Sequence, residues 1–266
     1  MARFQTLPDR IDCVCNTVND QVMCVQYGNV IDCCIIYANT KCQLNVMSGC
    51  CCAWTVPPGV CSIFVEMWGA GAGGTGGSGC GCCAQGLGGG AGGYISTTIP
   101  TKPGCSYTIC AGLAGVFGCG ACSRGGDGTA SYMTGYNAGS ICATGGCGCD
   151  SSCNTPRTCY GQNLSSGGDG CFTSTVFSNN VLRICGETGH QFGQAQGCRF
   201  ENRGGSAGFN GGSGGWNSYI SGSQYTGSGV SGTFPGGGGS GSITSCCCTY
   251  CACGGCGGNG LVRIWF

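Results

Sequence analysis

The sequence has few charged residues, and this argues against several classes of protein. Charged residues make up 8% of the chain, with ten acids balancing ten bases, against roughly 25% in ordinary domains. A chain without net charge has no electrostatic attraction to nucleic acid or to an anionic membrane surface. No apolar run approaches the roughly 18 residues of a membrane-spanning helix. We therefore expect neither nucleic-acid binding nor membrane insertion.

Helical periodicity and a conventional apolar core are also lacking. No stretch repeats its apolar residues every 3.6 positions, so we expect no helices. Hydrophobic residues reach 41%, but cysteine supplies 31 of them, which leaves few Leu, Ile, Val and Phe for a core. The N-terminal sequence MARFQTLPDRIDC has no apolar stretch, so we expect no secretory signal.

Groups suited to catalysis are scarce. His190 is the single histidine and has glycine on its N-terminal side, so we expect an exposed loop residue. The carboxylates are scattered without the paired spacing of acid–base catalysis. Residues 69–74 match G-x-G-x-x-G, but no helix can open in the glycines that follow and no acid lies about 20 residues on. We expect no enzyme activity, no catalytic residues and no cofactor.

Glycine is what the chain has in abundance. Only Gly28, Gly49 and Gly59 of its 59 glycines precede Gly69. Glycine loses more backbone freedom on folding than any other residue, so close packing, backbone hydrogen bonds or cross-links must compensate. A flexible linker does not fit the regularly spaced apolar residues, and collagen would need a strict three-residue period. We predict strands mixed with packed threefold segments of the polyglycine II type.

Short apolar runs between turn residues predict the strands. Four runs in residues 11–47 predict a small antiparallel β module over residues 1–49, for attachment or oligomerisation, followed by a glycine-rich domain over 50–266. The strand at 61–68 is expected to pair with the closing strand at 261–266. Residues 94–99 and 106–110 flank Pro103-Gly104 and predict a hairpin. Further strands are predicted near 131–133, 140–143, 175–177 and 181–185. The fold class is all-β and disulfide-rich.

The cysteines predict cross-links. An odd number of cysteines leaves at least one free or bonded between chains, and adjacent cysteines cannot bond each other without strain. A zinc ribbon is unsuitable because one residue separates the pairs Cys248/Cys251 and Cys253/Cys256, although a metal-thiolate cluster stays open. We assign no metal site. The disulfide candidates are Cys13, Cys15, Cys24, Cys33, Cys34, Cys42, Cys61, Cys105, Cys110, Cys119, Cys122, Cys142, Cys171, Cys185, Cys198, Cys248, Cys251, Cys253 and Cys256.

Single aromatic residues punctuate the glycine-rich region at Phe209, Trp216, Tyr219, Tyr225 and Phe234. Aromatic rings can stack on the sugars of a receptor, which makes Trp216, Tyr219 and Tyr225 candidates for receptor contact. The same rings can instead fill the core of a domain that has few other large side chains. We favour the core interpretation.

Four stretches carry a resemblance: VPPGVCSIFVEMWGAGAGG, GLGGGAGGYISTTIPTKPGCSYTICAG, FPGGGGSG and GCGGNGLVRIWF. Together they resemble the glycine-rich domain of phage tail-fibre and adhesin-type proteins, over about residues 50–266. The resemblance implies a homotrimeric virion component that contacts other virion proteins and a receptor on the host cell. The cysteine content and the N-terminal module depart from that pattern.

The resulting functional hypothesis is a structural virion protein, as a tail-fibre, adhesin or capsid-fibre component. Release of the particle by cell lysis would bring its cysteines into an oxidising medium, where disulfides persist. One alternative is a secreted, disulfide-cross-linked protein of an extracellular matrix or filament. A second alternative is a metal-thiolate binding protein.

Overall fold

The computed structural model describes residues 34–36, 43–47, 49–78, 86–120, 123–148, 170–172, 181–194, 199–220, 226–244 and 251–266. Across these ranges every regular element is a strand, so the predicted all-β class is confirmed. None of these residues forms a helix long and apolar enough to cross a membrane. The strands are β1 (Cys34–Ile36), β2 (Gln43–Met47), β3 (Cys51–Thr55), β4 (Ser62–Trp68), β5 (Gly77–Ser78), β6 (Tyr94–Pro100), β7 (Ser106–Cys110), β8 (Ser131–Gly135), β9 (Gly139–Ala143), β10 (Gly170–Phe172), β11 (Val181–Ile184), β12 (His190–Gln194), β13 (Arg199–Arg203), β14 (Trp216–Ile220), β15 (Thr226–Gly227), β16 (Ile243–Thr244), β17 (Cys251–Ala252) and β18 (Leu261–Trp265).

Two antiparallel sheets form a sandwich. The first has the order β1-β2-β18-β4-β6-β11, and the second has the order β10-β9-β8-β7-β3. Alternation along β4 sends Ile63, Val65 and Met67 inward, where each is at most 1% exposed. From the second sheet, Trp54 and Tyr107 enter the same core. The sandwich therefore holds the main aliphatic core of the described residues.

The opening and closing strands of the glycine-rich region pair as predicted. β18 lies between β4 and β2, with Leu261 opposite both Trp68 and Met47. Because β2 belongs to this sheet, the sheet crosses the boundary predicted near residue 50. β1 and β2 pair antiparallel, and the runs before residue 34 lie outside the described residues.

The predicted hairpin around Pro103-Gly104 is wrong. β6 pairs with β4 and β11 in the first sheet, whereas β7 pairs with β3 and β8 in the second. The turn itself exists, with Gly104 at φ 80°. At this turn the chain passes from the first sheet (β6) to the second (β7). The connection between β3 and β4 makes the reverse passage beside it, and the two are joined there because Val56 donates to the carbonyl of Cys105 and accepts from the N–H of Gly104. The strands predicted near 131–133, 140–143 and 181–185 are present as β8, β9 and β11, and residues 175–177 lie outside the described ranges.

Eleven extended glycine-rich segments continue from the strands and pack beside one another. We call this bundle the lattice. Its members are segments I (69–76), II (86–93), III (112–118), IV (123–129), V (144–148), VI (185–189), VII (204–207), VIII (211–215), IX (229–235), X (236–242) and XI (253–260).

Segment I shows how the lattice is held together. Its N–H groups donate in rotation to segments II, IV and XI, with N···O distances of 2.8–3.1 Å. Positions 69, 72 and 75 face segment II, positions 70, 73 and 76 face segment IV, and positions 71 and 74 face segment XI. Its carbonyl groups accept from segments III, V and X. A three-residue turn with six lateral neighbours is the packing expected of polyglycine II, and this part of the prediction is confirmed.

Steric crowding explains why the interior is glycine. A Cβ built on Gly71 would meet the carbonyl oxygen of Gly237, and one on Gly73 would meet that of Val116. Segments I and X are buried throughout and contain only Gly, Ala, Ser and Thr. Larger side chains are confined to the outer segments, at positions that turn away from the interior.

Three smaller sheets complete the described chain. β12, β13 and β14 form one of them, β15 pairs with β16, and β17 pairs with β5. Asn202 of β13 is fully buried, and its Nδ2 donates to the carbonyl of Ser242 at 3.1 Å. This bond joins the three-stranded sheet to segment X of the lattice.

Replacing a lattice glycine should be far more damaging than replacing a turn glycine. Gly71→Ala forces a methyl group onto neighbouring backbone, so we expect a loss of at least about 3 kcal/mol, seen as a lower Tm. Gly59 is the control because its φ is 83° but a Cβ there meets nothing within 4 Å. Gly59→Ala should cost only about 1 kcal/mol, for the left-handed backbone. Equal losses in thermal unfolding would contradict the packing described.

Candidate functional site

A buried carboxylate joins the opening and closing strands on the outer face of the first sheet. Glu66 of β4 is 9% exposed and lies opposite Arg263 of β18. Tyr94 Oη donates to Glu66 Oε1 at 3.0 Å, and Trp265 Nε1 donates to Oε2 at 3.1 Å. Arg263 Nη1 lies 3.7 Å from the same Oε2. Both carboxylate oxygens are therefore satisfied, as a buried charge requires.

Arg263 extends this network across the sheet. Its Nε donates to Asn45 Oδ1 at 3.2 Å, and its guanidinium carbon lies 5.5 Å from the centre of the Trp68 ring. Trp68 in turn donates from Nε1 to the carbonyl oxygens of Gly208 and Phe209 at 3.2 and 3.0 Å. The network therefore clamps the sheet to the loop that follows segment VII. With its polar groups engaged in this way, it serves as a structural clamp.

The second feature is a flat outer side of the lattice, which we call the lattice face. It consists of segments III, XI and IX, which lie side by side. Segment XI bonds to both interior segments I and X, while III bonds to I and IX bonds to X. In hexagonal packing, three outer segments related in this way lie in one row.

The lattice face exposes large apolar side chains on both sides of a row of small ones. Segment III presents Leu113, Val116 and Phe117 at 57%, 69% and 46% exposure, and segment IX presents Val230 and Phe234 at 50% and 47%. Between them, the outward side of segment XI consists of the half-buried Cys253, Cys256 and Asn259. None of the three segments contains a charged residue.

Side-chain contacts fix how segment XI is aligned with segments III and IX. Asn259 Oδ1 accepts from the backbone N–H of Ala114 at 2.9 Å. The N–H of Cys256 donates to Ser231 Oγ at 3.3 Å. Cys256 therefore lies midway along the outward side of segment XI, between the apolar residues of segments III and IX.

Three of the aromatic residues expected to fill the core do not do so. Phe209, Trp216 and Phe234 are 49%, 58% and 47% exposed, so the core interpretation is wrong for these three. The physical reason is that the interior of the lattice has no space for a ring. Exposure makes Trp216 available for contact with a partner. The side chain of Tyr219, which lies in β14, and all of Tyr225 are outside what the structure describes.

The structure places part of the cysteine set. Cys51 bonds Cys110, and Cys119 bonds Cys253; Cys142 is also disulfide-bonded. Cys61, Cys105, Cys147 and Cys256 are thiols, and Cys185 is exposed in segment VI. Of Cys34, Cys171 and Cys251 only the backbone is described. The candidates outside the described residues are Cys13, Cys15, Cys24, Cys33, Cys42, Cys122, Cys198 and Cys248.

No group of three or more His, Cys, Asp or Glu that could hold a metal ion occurs among the described residues. The C-x-x-C spacing of Cys253 and Cys256 follows instead from the threefold turn of segment XI, which puts every third residue on the same side. His190 was expected in a loop, but it begins β12 and is half-buried. The G-x-G-x-x-G match at 69–74 lies in segment I, where six neighbouring segments occupy the space a dinucleotide would need.

A local signal in the sequence marks the lattice face. Gly112, Gly115 and Gly118 recur every third residue, as do Gly254, Gly257 and Gly260. In both segments these glycines face inward and bond to each other, with Gly257 N–H donating to Gly115 C=O and Gly254 N–H to Gly118 C=O. The period is too short-lived to stand out over the whole chain, so a search for a global repeat misses it.

Comparison with known families agrees with this architecture. Residues 47–266, most of the chain, match the family described as glycine-rich domain. The protein belongs to this family. The glycine-rich domain thus begins at the end of β2 and includes the whole described lattice. No curated protein matches the chain.

The buried hydroxyl of Tyr94 beside Glu66 should make the stability of the protein vary with pH in the alkaline range. Burial and the neighbouring charge of Glu66 raise the pKa of Tyr94 from 10.0 to about 12. The unfolded chain releases this proton near pH 10 and the folded protein does not, so stability falls as the pH rises from 10 to 12. Urea unfolding should show a weaker fall for Tyr94→Phe. Tyr132→Phe, at a residue that is 38% exposed, should keep the wild-type slope; equal slopes in all three proteins would refute this role.

The disulfide Cys119–Cys253 should contribute to stability. It links residues 134 positions apart, so the double variant Cys119→Ser/Cys253→Ser should lose about 2–4 kcal/mol. Cys61→Ser is the matched control because Cys61 is an exposed thiol, and its Tm should stay close to that of the wild type. A strong reductant should lower the wild-type Tm and leave the double variant less affected. An unchanged wild-type Tm would rule out stabilisation by disulfides.

Proposed function

We propose that this glycine-rich domain protein is a non-enzymatic structural component of a virus particle, as a tail-fibre, adhesin or capsid-fibre part. The observation that carries the proposal is the enclosure of segment I by six neighbours, with all its N–H groups bonded laterally. Such backbone is closed to proteases, which need an accessible extended chain. Durability of this kind suits a part that must persist outside a cell.

Three further observations support the proposal. The disulfides Cys51–Cys110 and Cys119–Cys253 fit a protein that acts in an oxidising medium. The four stretches that resemble tail-fibre and adhesin domains include β4, β6, β7 and β18, which frame the lattice. Exposed rings such as Trp216 offer a surface for attachment to a host receptor. In this proposal the partners are other virion proteins, a host-cell receptor and further copies of the chain.

An extracellular filament or matrix protein is the second candidate. The exposed thiols Cys61 and Cys147 favour it, since they lie where cross-links to other chains can form. The two candidates differ in location, which is measurable.

Gold-labelled antibody against the protein locates it in its native source. Label on fibres or surfaces of purified virus-like particles is the expected result, with the same chain found by mass spectrometry in the particles. Label confined to cell-surface matrix, with bare particles, would overturn the virion proposal and favour the filament. Attachment is tested separately with Trp216→Ala, which should reduce binding of the purified protein to host cells, and with Leu182→Ala, an exposed control that should not.

A further inference from the structure

The lattice face has the size and composition of a protein interface. Its five large apolar side chains are 46–69% exposed, which leaves roughly 400–540 Å² of apolar surface if each offers about 150–200 Å². A standard interface buries about 800 Å² per partner, and about two thirds of this is apolar in homodimers. The lattice face alone therefore supplies most of the apolar surface that a homodimer needs.

The absence of charge favours a second copy as the occupant. On the neighbouring segment IV, Arg124 and Asp127 form a salt bridge at 2.8 Å, so their charges offset each other. A face without charge does not repel its own copy, and it offers nothing that would select a charged partner. When a surface pairs with itself, two-fold symmetry brings each residue near the axis opposite its own counterpart.

A thiol lies in the middle of the lattice face. Cys256 is half-exposed and free, midway between Cys253, which is in a disulfide, and Asn259. The chain has 31 cysteines, so pairing within one chain must leave at least one over. Cys256 is the described free thiol that sits on an apolar face suited to a second copy.

We infer that the lattice face binds the lattice face of a second copy of this chain, and that the pairing places the two Cys256 thiols opposite each other. In an oxidising medium the two thiols form an S–S bond, losing two protons and two electrons. A low-molecular-weight disulfide accepts them and is released as two thiols. A homotrimer of the kind implied by the resemblance would use a different surface, because this pairing joins two copies only. The inference does not depend on the proposed function.

Sedimentation velocity of the full chain tests the non-covalent pairing. With Cys256→Ser as the background, so that no reductant is needed to prevent the cross-link, the full chain should sediment as a dimer at micromolar concentration. Phe117→Asp/Val230→Asp should sediment as a monomer, because four carboxylates would be buried without partners. Phe117 and Val230 are about half exposed. The Tm of the double variant should therefore stay near the wild-type value at concentrations where the wild type is monomeric. Leu182→Asp is the control, at a residue that is 46% exposed on β11, and it should remain dimeric.

Oxidation tests the position of Cys256. With glutathione disulfide, non-reducing electrophoresis should show a covalent dimer, and mass spectrometry of its peptides should show Cys256 joined to Cys256. Cys256→Ser should lose that band and keep the dimer in sedimentation, whereas Cys61→Ser should keep both. A monomeric wild type, a dimer that survives the double aspartate substitution, or a covalent dimer unaffected by Cys256→Ser would each overturn the inference.

Discussion

Lateral backbone hydrogen bonding is the constraint on which the rest of this structure depends. A threefold extended segment makes no hydrogen bonds within itself, so each N–H and C=O must find a partner on a neighbouring segment or be lost to burial. Segment I meets this requirement with three neighbours that accept and three that donate. The requirement also forbids side chains at the contacts, since Cβ atoms there would coincide with carbonyl oxygens. Glycine is therefore a packing residue here.

The sandwich provides the order that the lattice needs. Segments I, III, V and VI leave the ends of β4, β7, β9 and β11, and segments II, IV and XI lead into β6, β8 and β18. The strand register thus sets where each segment begins relative to its neighbours. The clamp around Glu66 strengthens this junction, because Tyr94 bonds Glu66 within the sheet and Trp68 donates to the backbone beyond segment VII. Cross-links then fix places that packing alone leaves open, as Cys119–Cys253 does at the opposite end of segments III and XI.

Much of this could be predicted because steric rules act locally. The apolar runs at 61–68 and 261–266 predicted two strands that pair, and β4 and β18 do pair. The mixture of strands and polyglycine II segments followed from the absence of side chains. By contrast, the Pro103-Gly104 turn has the same residues whether it joins strands of one sheet or turns a corner between two. Its role is decided by β3 and β4, which precede it by about 40 residues and already occupy the pairing positions.

The candidate sites were harder to predict for the same reason. Trp216 and Phe234 are of the residue types that usually fill a core, but the interior of the lattice is too tight for any ring. Their exposure therefore follows from packing that no local pattern reveals. The partners of Glu66 include Trp265, which is 199 residues away. The position of Cys253, Cys256 and Asn259 on an outer surface depends on which segments surround segment XI, and the sequence alone does not specify these neighbours.

The threefold turn also sets a rule for how such a chain can change in length. Removing one residue from an outer segment rotates all later residues by about 120° and brings side chains such as Val116 towards the interior. Removing three residues keeps every glycine in phase and shortens the segment by about 9 Å. Insertions and deletions within the lattice should therefore accumulate in multiples of three residues. The three-residue unit of length is imposed here by the geometry of the polypeptide backbone, independently of the triplet code of the gene.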